Sequence, residues 1–373
     1  MKKRYEIGSF FGKENNNYVA CNDIYKDNSL NHLIKDNFYF FESGRSAISA
    51  IIEDVEKQTS NKVCLIPSYV CDTVVKPFTI KGWKVYFYQL NEKLEPIESE
   101  LKRLVKKHKP SVIFLILYYG NDSIASMRKY LKSWEVDNEE HFCVEDLTQA
   151  FFYLKKLELG KIDKMKYQVS SMRKWFPVPD GGVANLYYEP NYITKIEPEY
   201  QSYQTTAQSL KGRYLDGEGV SKSEFLRLHR LAEDALDHRY EVLPMHKESY
   251  DYIAMMDWNW MYERRNENAT FLKKKIDKIP DVNAFLECEK ETAPLYVPIL
   301  VEERVKFQEY MKQHDVFLPI LWPIPKEVGK ELNGFVKKVY TSMLAIPCDH
   351  RYTQGDMEYI VDLMKSYYER KWF

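Results

Sequence analysis

The chain has 373 residues, 45% of them hydrophobic, and its 54 basic and 55 acidic residues give a formal net charge of −1. This composition supports a large core and about two domains at roughly 150 residues each, and the balanced charge argues against a nucleic-acid partner. The six cysteines show no CxxC or Cys/His spacing, so neither a zinc site nor a disulfide framework is expected, and no apolar run is long enough to span a bilayer.

The first half of the chain alternates predicted strands with predicted helices. Residues 1–6 are basic but no apolar segment follows them, which argues against a signal peptide and for a cytoplasmic protein. Strands are predicted at residues 38–41, 63–66, 85–88, 112–117 and 141–144, and helices at residues 47–52 and 97–108, with Ser43 as a candidate N-cap. Short apolar strands separated by helices are typical of an α/β fold with a mainly parallel sheet covered on both faces. In such sheets ligands bind beyond the carboxyl ends of the strands.

The second half of the chain has a different pattern. Residues 188–237 are polar and favour helix, especially residues 221–237, and we expect this segment to connect two domains. A long charged helix is predicted over residues 258–279, and the remainder predicts a small α+β domain with strands at 295–301, 316–318 and 343–347 and helices at 303–314 and 354–370. We therefore predict a large domain with an N-terminal arm over residues 1–245 and a smaller C-terminal domain over residues 246–373.

The most informative segment is residues 169–182, here called the lysine segment. In it Lys174 follows Ser171 by three residues and precedes a turn rich in proline and glycine. Upstream, Asp146 ends a predicted strand. A pyridoxal-phosphate enzyme needs a lysine amine that forms a Schiff base and an anion that keeps the pyridine nitrogen protonated. Taken alone, the segment is more simply a surface Arg-Lys pair ahead of a turn.

Three further segments could serve the same chemistry, and each has an ordinary structural alternative. Residues 43–46 (Ser-Gly-Arg-Ser) open a helix and offer backbone N–H groups to a phosphate, although such a start is commonly only a cap. Gln149 lies one helical turn after Asp146 and could face the same pocket, while Asp146 could equally be a loop carboxylate or an N-cap. Residues 67–71 place an aromatic and small side chains where a planar ring could stack, and ordinary packing is the alternative.

Taken in order, these segments resemble the DegT/DnrJ/StrS-type sugar aminotransferase family of fold-type-I pyridoxal-phosphate enzymes. The resemblance covers roughly residues 35–370 and rests on residues 43–47, 67–69, 118–120, 145–150, 171–174 and 179–182, with residues 261–268, 322–325 and 344–349 in the second half. It implies a large cofactor-binding domain, a smaller C-terminal domain and a homodimer, because the active sites of this family lie at a subunit boundary.

The resemblance also implies a role for each matched residue. Lys174 would hold pyridoxal 5′-phosphate through a Schiff base and act as the base that moves the substrate proton. Asp146 would contact the ring nitrogen of the cofactor, and Gln149 its phenolic oxygen. The phosphate would be bound by Ser171 and by the helix start at Gly44, Arg45 and Ser46. Tyr69 or Cys71 would lie against the ring face. The sequence does not choose between Tyr69 and Cys71.

The implied activity is transfer of an amino group from an amino acid such as glutamate to the keto group of a nucleotide-linked sugar, by a ping-pong mechanism. Such chemistry belongs to nucleotide-sugar biosynthesis for cell-surface polysaccharide. Other pyridoxal-phosphate chemistry on a small amino-acid-like substrate and a non-catalytic binding protein with the same fold stay open. Retention of Lys174 argues against the dehydratase-type relatives that lack this lysine.

The sequence departs from the family pattern in two places. The lysine segment has a Met-Arg-Lys-Trp-Phe-Pro form, where many members have Thr-Lys. The glycine-and-Asn-Arg segment that reaches into a neighbouring subunit in many members is not recognisable between residues 200 and 236. The cross-subunit contacts and the substrate are therefore left open by the sequence.

Overall fold

The structure is a computed structural model of the chain, and it describes residues 5–13, 37–154, 157, 162–193, 199–279, 282, 284–286, 293–329 and 332–370. Its strands, in chain order, are β1 (Ile7–Gly8), β2 (Phe38–Phe41), β3 (Val63–Pro67), β4 (Lys84–Tyr88), β5 (Val112–Ile116), β6 (Phe142–Asp146), β7 (Tyr167–Ser170), β8 (Gly182–Asn185), β9 (Tyr296–Leu300), β10 (Val316–Phe317) and β11 (Met343–Pro347). Its α-helices are α1 (Gly44–Glu56), α2 (Asp72–Ile80), α3 (Glu98–His108), α4 (Arg128–Val136), α5 (Glu199–Leu215), α6 (Lys222–Leu236), α7 (Lys247–Met255), α8 (Trp258–Ile276), α9 (Arg304–Gln313), α10 (Gly334–Ser342) and α11 (Gln354–Arg370).

The elements fall into two units, each built from separated parts of the chain. The first comprises residues 1–6, 10–57 and 167–258, and the second comprises residues 7–9, 58–166 and 259–373. Residues 188–237, which the sequence predicted to connect two domains, lie within the first unit. Their predicted preference for helix is confirmed by α5 and α6. The division at residue 245 stays a prediction.

In the second unit, four parallel strands follow the order β6-β5-β3-β4. Strand β5 is buried along its whole length, as expected for a central parallel strand covered on both faces. Helices α2, α3 and α4 pack against these strands. The carboxyl ends of the four strands therefore meet at one edge, where β3 leads into Ser68 and β6 ends at Asp146.

The C-terminal part of the second unit has its own core. Strands β9 and β11 pair antiparallel, β1 pairs parallel with β10, and α9 packs against β10, β11 and α11. The buried side chains of this core come from all of these elements and include Ile7, Leu272, Ile299, Phe307, Met311, Leu344, Ile346, Ile360 and Met364. The strands and helices predicted from the last ninety residues are all present in this assembly, and β1 joins them from the N-terminal part of the chain.

In the first unit, β2, β8 and β7 form an antiparallel set, and α1 packs against β7 and β8. The Asp54 carboxylate of α1 is buried and accepts hydrogen bonds from the Tyr167 hydroxyl at 2.8 Å and the Tyr187 amide at 2.9 Å, which ties the helix to these strands. Helices α5 and α6 pack against each other through Tyr200, Ala232 and Leu236.

The predicted fold class is confirmed, since parallel pairings outnumber antiparallel ones among β2 to β8 and helices flank the strands. Strands β7 and β8 had no signal in the sequence, because each has four residues and β8 begins with glycine. Within the described part of the chain, no helix is long and apolar enough to cross a membrane.

Candidate functional site

Lys174 lies at the end of a single 3₁₀ turn, Met172–Lys174, which follows β7. The amides of Met172 and Arg173 both donate to the carbonyl of Gly181, at 2.9 and 3.3 Å. Gly181 has φ +148°, which L side chains rarely adopt, so glycine is required where the segment closes on itself. The lysine therefore extends from a closed turn.

Trp175 and Phe176 directly after the lysine are completely buried. The Phe176 ring packs against Trp258 with 5.2 Å between ring centroids. Two buried aromatic side chains beside one turn resist displacement, because exposing each would cost about 1.5–3 kcal/mol. The Trp-Phe-Pro form of the segment is thus an anchor for the turn that carries Lys174.

Ser171 lies against the N-terminus of α1. A Cβ added to Gly44, the first residue of α1, would lie 3.1 Å from the Ser171 Cβ, and one added to Gly182 would overlap the Ser43 carbonyl oxygen. Ser43 caps the helix by accepting from the Ser46 amide at 3.2 Å. The first N–H groups of a helix lack intrahelical acceptors, so this N-terminus with an adjacent hydroxyl has the chemistry of an anion site.

The side chains of Arg45 and Ser46 are engaged elsewhere in the same unit. The Arg45 guanidinium donates to the Leu236 carbonyl and to Asp237 Oδ1 at 2.6 Å. The Ser46 hydroxyl lies 2.7 Å from both the Glu241 carbonyl oxygen and the Leu243 amide nitrogen. Any phosphate contact by Arg45 is therefore left to its backbone amide, while the Ser46 amide already donates to Ser43.

In the second unit, Asp146 is the last residue of β6 and is 6% exposed. Its Oδ1 accepts from the Thr148 amide at 2.8 Å, and its carbonyl accepts from the Leu117 amide at 3.1 Å. These bonds fix both the backbone and the carboxylate of a residue at the carboxyl end of a parallel strand. A buried carboxylate at that edge suits a cationic ligand group.

Gln149 is 2% exposed. Its Oε1 accepts from the Tyr119 amide at 3.1 Å, while its Nε2 is buried and has no hydrogen-bond partner among the described residues. Tyr119 adopts φ +51°, a left-handed conformation that is uncommon for a bulky residue, and this conformation turns its amide toward the glutamine. A buried unsatisfied donor costs about 1–3 kcal/mol, so an acceptor atom of a ligand would relieve it.

Glu145, which directly precedes Asp146 in β6, belongs to a buried ionic network that carries no signal in the sequence. Arg128 bonds Glu145 at 2.7 Å and Asp122 at 2.8 Å, and the Tyr153 hydroxyl donates to Asp122 at 2.6 Å. Glu145 is completely buried, so loss of its partner would leave an uncompensated charge. The network fixes the strand end that carries Asp146.

Tyr69 and Cys71 differ in accessibility. Tyr69 is completely buried, its ring packs against those of Tyr118, Trp322 and Tyr340, and burial raises the pKa of its phenol well above the usual value of 10. Cys71 is half-buried at the N-cap position of α2, where the Thr73 hydroxyl donates to its sulfur at 3.0 Å. Of the two, Cys71 keeps surface that a ligand could contact.

The acidic and histidine partners of the lysine segment carry no signal in the sequence. Arg173 pairs with Glu233 at 2.7 Å; burial alone would raise the pKa of Glu233, but the guanidinium outweighs burial and lowers it to about 2. Asp180 is completely buried and accepts from the His246 amide and ring, at 2.9 and 2.8 Å, and from the Ser249 hydroxyl. The hydrogen bond that the His246 ring donates to Asp180 raises the pKa of His246 above its usual 6.5.

No family model and no curated protein matches the sequence. Solved structures do match over nearly the whole chain. The sugar aminotransferase CalS13 from Micromonospora echinospora is 14% identical with a TM-score of 0.60, covering 94% of this chain and 93% of that one. Spr1654 from Streptococcus pneumoniae in its PLP form is 12% identical with a TM-score of 0.63, covering 98% and 99%. A DegT DnrJ EryC1 StrS aminotransferase from Brucella abortus is 11% identical with a TM-score of 0.59, covering 94% and 91%.

The chain has the fold of these aminotransferases. The fold implied by the resemblance in the sequence is thereby confirmed, and at such low identity the likeness extends to the fold alone.

Proposed function

We propose that this protein is a pyridoxal-phosphate-dependent aminotransferase. The observation that carries the proposal is the lysine segment: Lys174 extends from a closed turn, and Ser171, three residues before it, lies against the N-terminus of α1. A nucleophilic amine and an anion site on one short segment suit a cofactor that combines an aldehyde with a phosphate. The same fold in proteins named as sugar aminotransferases supports this reading.

Each unit holds residues that fit part of the cofactor. The phosphate would be held by the Ser171 hydroxyl and the first amides of α1, at Gly44 and Arg45. The Asp146 carboxylate would bind the ring nitrogen, and the unsatisfied Gln149 Nε2 would donate to the phenolic oxygen. Cys71, which keeps accessible surface, is our candidate for the residue beside the ring face.

Bound pyridoxal phosphate supplies an electron sink that makes the α-proton of an amino acid acidic. Lys174 would hold the cofactor covalently and, once the substrate amine replaces it, take up the α-proton and return it. Asp146 would keep the ring nitrogen protonated, because a nearby anion favours the charged form of a base. Lys174 would thus serve as anchor and as general base.

For the substrates, we propose an amino acid such as glutamate as donor and a keto group on a nucleotide-linked sugar as acceptor, in a ping-pong reaction. The names of the structurally similar proteins support a sugar acceptor. A homodimer, a cytoplasmic location and a role in cell-surface polysaccharide synthesis belong to the same proposal, through the resemblance of the sequence to the family.

The test is an absorbance spectrum of the purified protein with added pyridoxal phosphate, before and after borohydride. We expect a band above the protein absorbance that borohydride removes, leaving the cofactor attached to the peptide that contains Lys174. Lys174→Ala should lose the covalent attachment, whereas Lys164→Ala, a surface lysine in the second unit, should behave as the wild type. A protein that stays colourless and takes up no cofactor would refute the proposal.

The aminotransferase assignment needs a second measurement on the loaded protein. Addition of the correct amino donor should change the band, and addition of the correct keto-sugar nucleotide should restore it. A loaded protein whose band responds to no donor in a screen of amino acids would favour the non-catalytic alternative.

A further inference from the structure

The lysine segment is held by three helices of the first unit. From α5, Gln208 Nε2 donates to the Val178 carbonyl at 3.1 Å and the Tyr200 hydroxyl donates to the Pro179 carbonyl. The start of α7 binds Asp180, through the His246 amide and the Ser249 hydroxyl. Helix α6 reaches the segment through Glu233, whose partner Arg173 directly precedes Lys174.

The Arg173–Glu233 pair is bidentate, with two hydrogen bonds between the guanidinium and the carboxylate. Arg173 Nη1 lies 2.7 Å from Glu233 Oε1, and Nη2 lies 3.3 Å from Oε2. A guanidinium and a carboxylate that meet through two parallel hydrogen bonds fix direction as well as distance. A lysine ammonium at position 173 would not reproduce that geometry.

The consequence for Lys174 follows from the geometry of the turn. A 3₁₀ helix has about 3 residues per turn, so the side chains of adjacent residues point roughly 120° apart around its axis. The turn has only three residues, so its rotation is set by the groups that hold it. Together with the two amide bonds to Gly181 and the buried Trp175, the Arg173 side chain held by Glu233 fixes the rotation of the turn and so the direction of Lys174.

We propose that the Arg173–Glu233 pair is a positioning device for the lysine: it aims the Lys174 amine and so sets the rate at which that amine captures the aldehyde of pyridoxal phosphate. This proposal rests on the proposed function, because it assigns Glu233 and Arg173 to the same site. Neither residue touches the reacting atoms in this scheme. Both act through Lys174.

The pair is present throughout the neutral range. With its pKa lowered to about 2, Glu233 stays ionised there, and Arg173 stays protonated. Loss of the pair by substitution should accordingly have the same effect on capture at pH 6 as at pH 9. Loss of a contact made by a histidine, such as the hydrogen bond from His246 to Asp180, would have an effect on capture that varies between pH 6 and pH 9.

The experiment compares Glu233→Gln with Asp234→Asn, the same chemical change at the next, exposed position of α6. Three quantities are measured: total pyridoxal phosphate bound at equilibrium, by dialysis; the rate of covalent capture, by borohydride quenching at timed intervals; and the unfolding midpoint, by a thermal scan. For Glu233→Gln we expect capture to slow by about tenfold, because reaction rates fall steeply when reacting groups are displaced. Total binding at equilibrium and the unfolding midpoint should stay near the wild-type values, and Asp234→Asn should match the wild type in all three.

A charge swap supplies the rescue. Arg173→Glu alone should slow capture as Glu233→Gln does, and Arg173→Glu combined with Glu233→Arg should recover much of the wild-type rate, since the pair is restored in reverse. If Glu233→Gln does not fold, Glu233→Asp, which keeps the charge but shortens the reach, takes its place.

The outcomes separate the two proposals. Wild-type capture rates in Glu233→Gln, or a parallel loss of binding, capture and stability, would overturn the positioning role and leave the proposed function intact. A wild-type protein that neither binds nor captures the cofactor would instead remove the proposed function.

Discussion

At the scale of single residues, Gln149 shows how an unsatisfied group distinguishes a binding residue from a packing residue. Gln149→Met removes the Nε2 donor that has no partner among the described residues, which is favourable, and removes the acceptor of the Tyr119 amide, which is unfavourable. Each effect is about 1–3 kcal/mol, so the stability of the cofactor-free protein should change little. The affinity for pyridoxal phosphate should fall by about tenfold, since one buried hydrogen bond to the ligand is lost.

The measurement is a fluorescence titration of the variant with pyridoxal phosphate, paired with thermal unfolding of the cofactor-free protein. Gln308→Met in α9, where the amide donates to the Leu318 carbonyl, is the matched control and should leave the affinity unchanged. An unchanged affinity in Gln149→Met would show that the glutamine only caps the Tyr119 amide.

The sequence predicted site residues that carry a local signal. It did not predict partner residues that lie far away along the chain. Lys174, Ser171 and Gly44 carry local signals, a serine three residues before a lysine and a glycine at a helix start. Glu233 and His246 carry none, because an acidic residue in an amphipathic helix and a histidine in a loop are ordinary on a solvated surface. Only folding brings them to residues some sixty positions earlier.

At the scale of elements, the contact between the lysine segment and α7 should make stability depend on pH. His246 precedes the first residue of α7, and its pKa is raised above 6.5 by the hydrogen bond to Asp180. A base whose pKa is higher in the folded than in the unfolded state stabilises the fold fully below the unfolded value. That contribution is lost as the pH rises through the folded value.

We therefore expect His246→Gln to lower the free energy of unfolding most near pH 6 and least near pH 9, measured by urea unfolding at both values. His238→Gln, an exposed histidine just beyond α6, is the control and should show a smaller difference between the two conditions. A His246→Gln effect of equal size at both pH values would mean that the neutral imidazole holds Asp180 as well as the cation does.

The elements that the sequence predicted best are those with strong periodicity or a clear cap. The helix predicted over residues 97–108 is observed as Glu98–His108, and the closing helix has its predicted bounds. The N-cap at Ser43 is confirmed by its bond to the Ser46 amide. Strand β7 was missed because Gln168 and Ser170 alternate with apolar residues over only four positions, too few for a periodic signal.

At the scale of the whole molecule, sequence pattern and structure agree on fold class for a physical reason. Apolar strands such as β5, buried on both faces, occur where helices cover a parallel sheet, so composition and spacing suffice to predict the architecture. The assignment of strands to units does not follow from such patterns, because β2 precedes β3 in the chain but belongs with β7 and β8. Pairing between distant segments has no local signature in the sequence.

Binding of the cofactor should stabilise the folded chain, and the phosphate should account for much of the effect. A ligand that binds only the folded state adds about 2.7 kcal/mol to the free energy of unfolding at a concentration one hundred times its dissociation constant. For a chain of this length we expect pyridoxal phosphate to raise the unfolding midpoint by a few degrees, at roughly 2–4 °C per kcal/mol or somewhat less. Pyridoxal, which lacks the phosphate, should raise it much less at the same concentration, because it makes no contact with the N-terminus of α1 and Ser171.

The measurement is thermal unfolding of the wild type with pyridoxal phosphate or with pyridoxal. The same two scans are then made on Gly44→Ala. The added methyl group would press on the Ser171 side chain at 3.1 Å and so alter the anion site without removing a charge. This variant should lose most of the difference between the two compounds while keeping its ability to react with pyridoxal through Lys174. Equal stabilisation of the wild type by pyridoxal and pyridoxal phosphate would contradict the phosphate site at α1.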